Sequence, residues 1–253
     1  MARMIVSAAG LNLRSAPVTE PDNIILVLPR GHEVEALDEP GNQTFRAVET
    51  IVDGTLVRGF ASARFLRDAM SPLRERLIAE ALSEWNRFNR GAGQEHVSPF
   101  YRRVGDYWRA ININLDGRNR TQPWSAAFIS FIARRAGYND FVFSDSHDKY
   151  ILDAKRKRFA GEADAPFWLF RLNEHKPQPG DIICQWRLRV RTFDDLPEDF
   201  TSHCDVVVEV NEGIAKAIGG NVSHSVSRTD FSLNDQGFLR PQRNVFAVMR
   251  NNR

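Results

Sequence analysis

Two rhythms of apolar and polar positions run along this chain, and one gives way to the other near Met70-Ser71-Pro72. Before that point the apolar residues come in short runs, at 4–7, 11–14, 24–28, 33–37, 45–50 and 56–61. Pro17, Pro29-Arg-Gly31, Pro40-Gly41 and Asp53-Gly54 punctuate them. Short runs broken by Gly and Pro predict strands, and an Asp-Gly pair between two of them predicts a hairpin. Strands this brief and this closely spaced imply a small all-β barrel over residues 1–68.

After Ser71 the period lengthens. Leu73, Leu77, Ile78, Ala81, Trp85 and Phe88 recur at helical spacing between Ser71-Pro72 and Gly91, and residues 100–108 form a second amphipathic element. Residues 121–137 predict a third helix, with Pro123 tolerated in its first turn and Arg134, Arg135 and Gly137 suited to its C-terminus. Nearly every position between is small or apolar, which marks a buried central helix. A basic helix follows residues 143–150 and ends near Gly161, with Ser144 or Asp145 as its cap and Lys155-Arg-Lys-Arg158 as a solvated face. Strands are then expected at 167–171, 181–186, 206–210, 214–218 and 245–249. A helical first half and a stranded second half predict an α+β domain over 71–253, the central helix packed on an antiparallel sheet.

That central helix carries the first candidate for chemistry. Ser125 is the first polar group of an otherwise apolar helix, placed where free amides and the positive dipole end favour an anionic reaction centre. A serine there is commonly only a cap. Further along, His203 leads the strand-like Cys204-Asp-Val-Val-Val-Glu-Val210, and Asn221 follows Ile214-Ala-Lys-Ala-Ile-Gly-Gly220. The order hydroxyl, imidazole, amide parallels the Cys, His, Asn (or another polar orienting group) of the papain-like cysteine hydrolases, which open a helix with the nucleophile and carry the base on a sheet.

Three stretches sharpen this. Pro123-Trp-Ser-Ala-Ala-Phe128, Pro177-Gln-Pro-Gly-Asp181 and His203-Cys-Asp205 resemble the core signature of the CHAP-type and NlpC-type amidases and endopeptidases of bacterial cell walls. Gly219-Gly-Asn221 is similar to a Gly-Gly-Asn of some of these proteins, and residues 75–250 as a whole resemble an uncharacterised CHAP-like family with serine at the nucleophile position. The resemblance implies a papain-like fold, peptidoglycan or a cell-wall peptide as partner, and Ser125, His203 and Asn221 as catalytic residues. It further implies Gln122, Trp124, Trp108, Tyr107 and His147 as a substrate-binding set. For Tyr107 and Trp108 plain core packing is the alternative, and for His147 a buried hydrogen bond. In the first segment, Leu11-Asn-Leu-Arg-Ser-Ala-Pro17, Leu28-Pro-Arg-Gly31 and Gly59-Phe-Ala-Ser-Ala-Arg-Phe-Leu66 resemble a bacterial SH3-like barrel, a module that binds the wall or serves structurally.

Two departures from the signature bear on mechanism. Ser125 stands where the family has cysteine, and Asp205 where it has glycine. A hydroxyl, unlike a thiol, needs a base to remove its proton during attack, so a charge behind the histidine matters more. Residues i and i+2 of a strand share a face, which puts Asp205 beside His203 and makes it a fourth catalytic candidate.

Composition narrows the alternatives. The 253 residues are 42% hydrophobic and 26% charged, an ordinary balance with room for one large or two small domains. With 34 basic and 32 acidic residues the net charge is +2, which does not point to nucleic acid as a partner. Cys184 and Cys204 fall in two expected strands as buried thiols or a cross-strand pair. No apolar run reaches the ~18 residues of a membrane span. Met1-Ala-Arg-Met-Ile-Val-Ser-Ala-Ala-Gly10 is too short in apolar residues for a signal peptide. The chain as written is therefore expected in the cytoplasm, reaching the wall through a trimmed precursor, a phage holin or a dedicated secretion system. No P-loop or dinucleotide fingerprint occurs, so no cofactor is expected. Besides the hydrolase, two classes stay open: a retired hydrolase fold acting as a wall- or protein-binding module, and a metal-dependent hydrolase using His147, His203, Asp205 or His224.

Overall fold

Asp53 and Gly54 both take positive φ, 49° and 77°, the backbone a two-residue hairpin needs for its twist to match the flanking strands. They join β5 (Phe45–Val52) to β6 (Thr55–Ser62), with Val52 opposite Thr55. This hairpin sits inside a seven-stranded antiparallel sheet completed by β1 (Ala2–Val6), β2 (Gly10–Arg14), β3 (Ile24–Pro29), β4 (Glu33–Ala36) and β7 (Leu66–Asp68). The strand order is β3-β2-β6-β5-β4-β1-β7. Met4, Val6, Leu13, Leu28, Val34, Val48 and Ala61 form its core. The structure is a computed structural model and describes residues 2–38, 41–119, 121–242 and 244–253. The turn expected at Pro40 and part of the loop before Thr121 therefore lie outside the described residues.

The chain divides into two compact units, Met1–Met70 and Ser71–Arg253. In the second, α1 (Pro72–Arg87) starts where the sequence places it, with Pro72 in the first turn and Ser71 Oγ accepting the Arg74 N–H at 3.3 Å. It stops short of Gly91, because Asn89 and Arg90 adopt positive φ. Next come α2 (Phe100–Arg109), α3 (Ser125–Ala136) and α4 (His147–Phe159). The strands are β8 (Phe167–Phe170), β9 (Ile182–Trp186), β10 (Ser202–Asn211), β11 (Ile214–Val222), β12 (Ser225–Ser232) and β13 (Val245–Asn251). They form one antiparallel sheet in the order β12-β11-β10-β9-β13-β8. The protein is thus α+β, with two antiparallel sheets and four helices among the described residues. None of those helices is long and apolar enough to cross a membrane.

α3 is the centre of the second unit. Every residue from Ser125 to Ala133 is buried, and Gly137 closes the helix with φ of 98°. It packs on β10 and β11 on one side and on α1 and α2 on the other. The expected helix start at 121 moves to 125, and residues 121–124 form the approach to it.

A buried ion pair fixes the sheet to the helices. Arg74 of α1 donates to Asp181 Oδ1 at 2.7 Å and to the carbonyls of Pro179 and Asn251, at 2.6 and 3.0 Å. Asp181 also accepts the Asn251 and Gln178 amides, at 2.9 and 2.8 Å, and its Oδ2 lies 2.7 Å from His175 Nε2. Such a fully buried carboxylate is tolerable because its lone pairs are all occupied. A Cβ on Gly180, whose φ is 88°, would stand 2.5 Å from Arg74 Cγ. The Pro-x-x-Gly-Asp stretch is therefore a clamp that sets where β9 begins.

Candidate active site

Ser125 is the first residue of α3. The first backbone bond of the helix runs from Phe128 N–H to the Trp124 carbonyl at 3.0 Å, so the amides of residues 125–127 precede the ladder. Ser125 thus sits in the first turn of α3, at the positive end of the helix dipole. Ser125 is 6% exposed and lines a cleft of about 420 Å³ together with Trp108, Gln122, Asp145, Asp199 and Ser202.

The hydroxyl is 2.6 Å from His147 Nε2, a hydrogen bond between two buried groups. His147 opens α4, and its other ring nitrogen, Nδ1, is hydrogen-bonded to the hydroxyl of Tyr150 one turn along the same helix. Burial first, then His203 and Arg187, push the imidazole well below its ordinary range. His147 is therefore a neutral imidazole at pH 7, able to accept a proton.

The second imidazole lies beside the first. The His147 and His203 rings are edge to face, with centroids 5.4 Å apart. His203 Nε2 is 3.0 Å from Asp205 Oδ1, the same-face pairing that strand periodicity leads one to expect, and Asp205 Oδ2 accepts from Gln185 Nε2 of β9 at 2.8 Å. β11 passes so close that a Cβ on Gly219 would lie 1.7 Å from Asp205 Oδ1 and 3.0 Å from His203 Nε2. One on Gly220 would lie 2.5 Å from Phe128 Cβ. The paired glycines are what let the sheet approach α3 and the His203–Asp205 pair.

The remaining residues named from the sequence divide. Gln122 and Trp108 line the cleft. Tyr107 is wholly buried and donates its O–H to Glu84 Oε2 at 2.6 Å, which places it in the core between α1 and α2. Trp124 is 1% exposed, and its indole N–H donates to Glu95 Oε2 at 2.5 Å. Asn221 does not reach the imidazoles by any hydrogen bond among the described residues. Its side-chain amide lies at the start of α3, where the orientation that satisfies both neighbours puts its nitrogen 3.2 Å from Glu95 Oε2 and its oxygen 3.3 Å from the Trp124 N–H. His224 Nδ1 is 2.8 Å from Glu95 Oε1, and no three His, Cys, Asp or Glu among the described residues are grouped to hold a metal ion.

The hydroxyl expected against His203 is thus bonded to His147. Strand and helix order alone could not show this, because the two imidazoles reach the same point from different elements. Tyr150, Glu95 and Gln185 were not singled out from the sequence, and nothing local marks Glu95 or Gln185. For Tyr150 a signal does exist, since His147 and Tyr150 are three apart on a helix and must share a face.

The family model described as "Uncharacterized protein conserved in bacteria (DUF2272)" matches residues 95–252. Among solved structures the chain is similar to NlpC1 from Trichomonas vaginalis, at 15% identity and a TM-score of 0.33, covering 99% of this chain and 70% of that one. It is also similar to NlpC2 from the same organism, at 14% identity and a TM-score of 0.26, covering 99% and 73%. No curated protein matches the chain.

Proposed function

We propose, for a chain that belongs to the DUF2272 family, that it is a serine-dependent hydrolase of amide bonds in peptidoglycan stem peptides, built on an NlpC-like, papain-like domain. The observation that carries the reading is the contact of Ser125, on a cleft wall at a helix N-terminus, with the neutral imidazole of His147 at 2.6 Å. Support comes too from the placement of the three signature stretches: Pro123-Trp-Ser leads into α3, Gly180-Asp181 precedes β9, and His203 lies at the start of β10. In this reading His147 takes the Ser125 proton as the hydroxyl attacks a carbonyl, and the first-turn amides of α3 face the developing oxyanion. His203, oriented by Asp205, is the second imidazole of the site and stabilises charge next to it. The N-terminal unit, in the same proposal, is an SH3-like barrel that binds the wall.

The test is release of free amines from purified sacculi. Wild type releases them, Ser125→Ala and His147→Ala do not, and Ser125→Cys matches or exceeds wild type, because a thiol ionises more readily beside an imidazole. One observation favours a second reading, a retired fold that only binds: the imidazole touching Ser125 is backed by a phenol and not by a carboxylate. If wild type and Ser125→Cys both release nothing while the sacculi stay bound, the binding reading replaces the hydrolase.

A further inference from the structure

Glu95 lies in the connection between α1 and α2, 29 residues before Trp124 and 129 before His224, yet its buried carboxylate meets both. Oε2 accepts the indole N–H of Trp124, the residue before Ser125, at 2.5 Å. Oε1 is 2.8 Å from His224 Nδ1, in the turn between β11 and β12. The main chain of Glu95 is held as well. Its N–H donates to the His224 carbonyl at 2.8 Å, and a Cβ on Gly117, in the loop leading to Thr121, would stand 2.0 Å from its carbonyl oxygen. The turn it grips has Asn221, Ser223 and His224 at positive φ, of 57°, 52° and 63°. Left-handed non-glycine residues so close together persist only where their surroundings hold them there.

We infer that Glu95 is a positioning residue for Ser125: its carboxylate ties the start of α3 to the β11–β12 turn and so sets where the nucleophile stands relative to the imidazoles. The inference rests on Ser125 being the reactive group of the proposed hydrolase. Trp124 precedes Ser125 directly, has no side-chain cap bond at the helix start, and supplies the first carbonyl of the α3 ladder, to Phe128. Its indole packs among the rings of Phe88 and Tyr107, with centroids 6.1 and 5.6 Å away, and carries a single polar atom, a donor only. The bond to Glu95 uses that donor and fixes the rotation of the ring, and with it the point at which the helix begins. At the other end of the bridge, β11 brings Gly219 against the His203–Asp205 pair two residues before Asn221. One carboxylate therefore spaces the hydroxyl from the second imidazole without touching either. Asn221, whose side-chain amide faces Glu95 and the Trp124 N–H, belongs to this bridge, while Asp205 takes the place beside His203.

Reactivity at position 125 in the full-length chain tests this, with thermal melting to check folding. Two rates are read. Labelling of Ser125 by a fluorophosphonate reports its nucleophilicity without a known substrate. Alkylation by iodoacetamide of the thiol in Ser125→Cys, located by peptide mapping, reports the same position without requiring hydrolysis. Glu95→Leu removes the acceptor, and since misplacing a reacting group by about 1 Å costs on the order of 100-fold, both rates are expected to fall by that order. Glu95→Gln keeps an oxygen for the indole and restores both rates to within about threefold of wild type. The Trp124 indole proton, shifted downfield by its carboxylate partner, moves upfield in Glu95→Leu. A carboxylate that served stability alone would lower the melting temperature and leave the rates of the folded protein unchanged. The inference is overturned if folded Glu95→Leu reacts at the wild-type rate, or if Glu95→Gln is as slow as Glu95→Leu. Should Glu95→Leu not fold, Trp124→Phe removes the N–H and leaves Glu95 in place, and the wild-type rate in that variant overturns the inference equally. A wild type that no fluorophosphonate labels, with thiol alkylation that falls as stated, upholds the role of Glu95 and counts against the hydrolase.

Discussion

His147 is where single-residue chemistry weighs most, because it is the base of the proposed reaction, is buried, and has no hydrogen bond to a carboxylate among the described residues. Its ordinary value is 6.5, and burial beside His203 and Arg187 lowers it well below that. In the unfolded chain the same ring takes a proton as pH falls through about 6.5. The folded chain does not, so between the two values protons favour the unfolded state. Stability is intact above about pH 6.5 and is lost progressively below it, with a slope from this group of at most about 1.4 kcal/mol per pH unit. Urea midpoints measured from pH 7.5 down to pH 5 test this. His147→Gln flattens the decline, and an equally steep decline in that variant would assign the pH dependence to other groups. The same shift predicts that fluorophosphonate labelling of Ser125 stays high to a pH below 6.5, since the base remains neutral there.

At the scale of elements, two close approaches decide whether the site exists. The first is the clamp of Arg74 on Asp181, side chains 8% and 0% exposed, which joins α1 to the start of β9 and the end of β13. Asp181→Ala leaves a buried guanidinium without its partner, and the expected loss is about 3–5 kcal/mol in chemical unfolding. The second is β11 against α3. Gly220→Ala pushes into Phe128 and Trp124, with an expected cost of about 1–3 kcal/mol, whereas Gly219→Ala pushes on the Asp205 carboxylate and separates it from His203. Gly219→Ala should therefore reduce Ser125 labelling more than its effect on stability accounts for, and labelling at the wild-type rate would remove His203–Asp205 from the mechanism.

These elements also show what the sequence made readable. α1 and α2 came from periodicity, α3 from its apolar run, α4 from its basic run and most of the strands from short apolar runs, because packing and local pattern agree there. β12 did not, since Ser225-Val-Ser-Arg-Thr-Asp-Phe-Ser232 is an edge strand with mostly polar residues and few buried side chains beyond Ser225, Val226 and Phe231. β7 was missed as well, being three residues long. Asp205 beside His203 followed from strand geometry, but the partner of Ser125 did not. The choice between two imidazoles depends on how α4 lies across β10, a long-range packing angle that no local pattern encodes.

For the whole molecule the telling fact is that the two units keep separate cores. Val6, Leu13, Leu28, Val34 and Val48 pack among themselves in the first. Phe88, Tyr107, Phe128, Ile132 and Tyr150 belong to the large cluster of the second, and Ile183, Val207 and Phe231 to a smaller one there. All the groups of the site, from Ser125 and His147 to Asp205 and Glu95, lie within Ser71–Arg253. A unit that holds its own core and all of its polar anchors should fold without the other, and residues 71–253 are of a size at which one core suffices. The unit Met1–Met70 is small enough that its margin should be thin. We therefore expect residues 71–253, produced alone, to melt cooperatively and to label at Ser125 as the full chain does. Limited proteolysis of the full chain should cut near Met70-Ser71. A fragment 71–253 that is soluble but has no cooperative transition would mean that the second unit depends on the first. A fragment that folds and labels but no longer sediments with sacculi would place wall binding in residues 1–70.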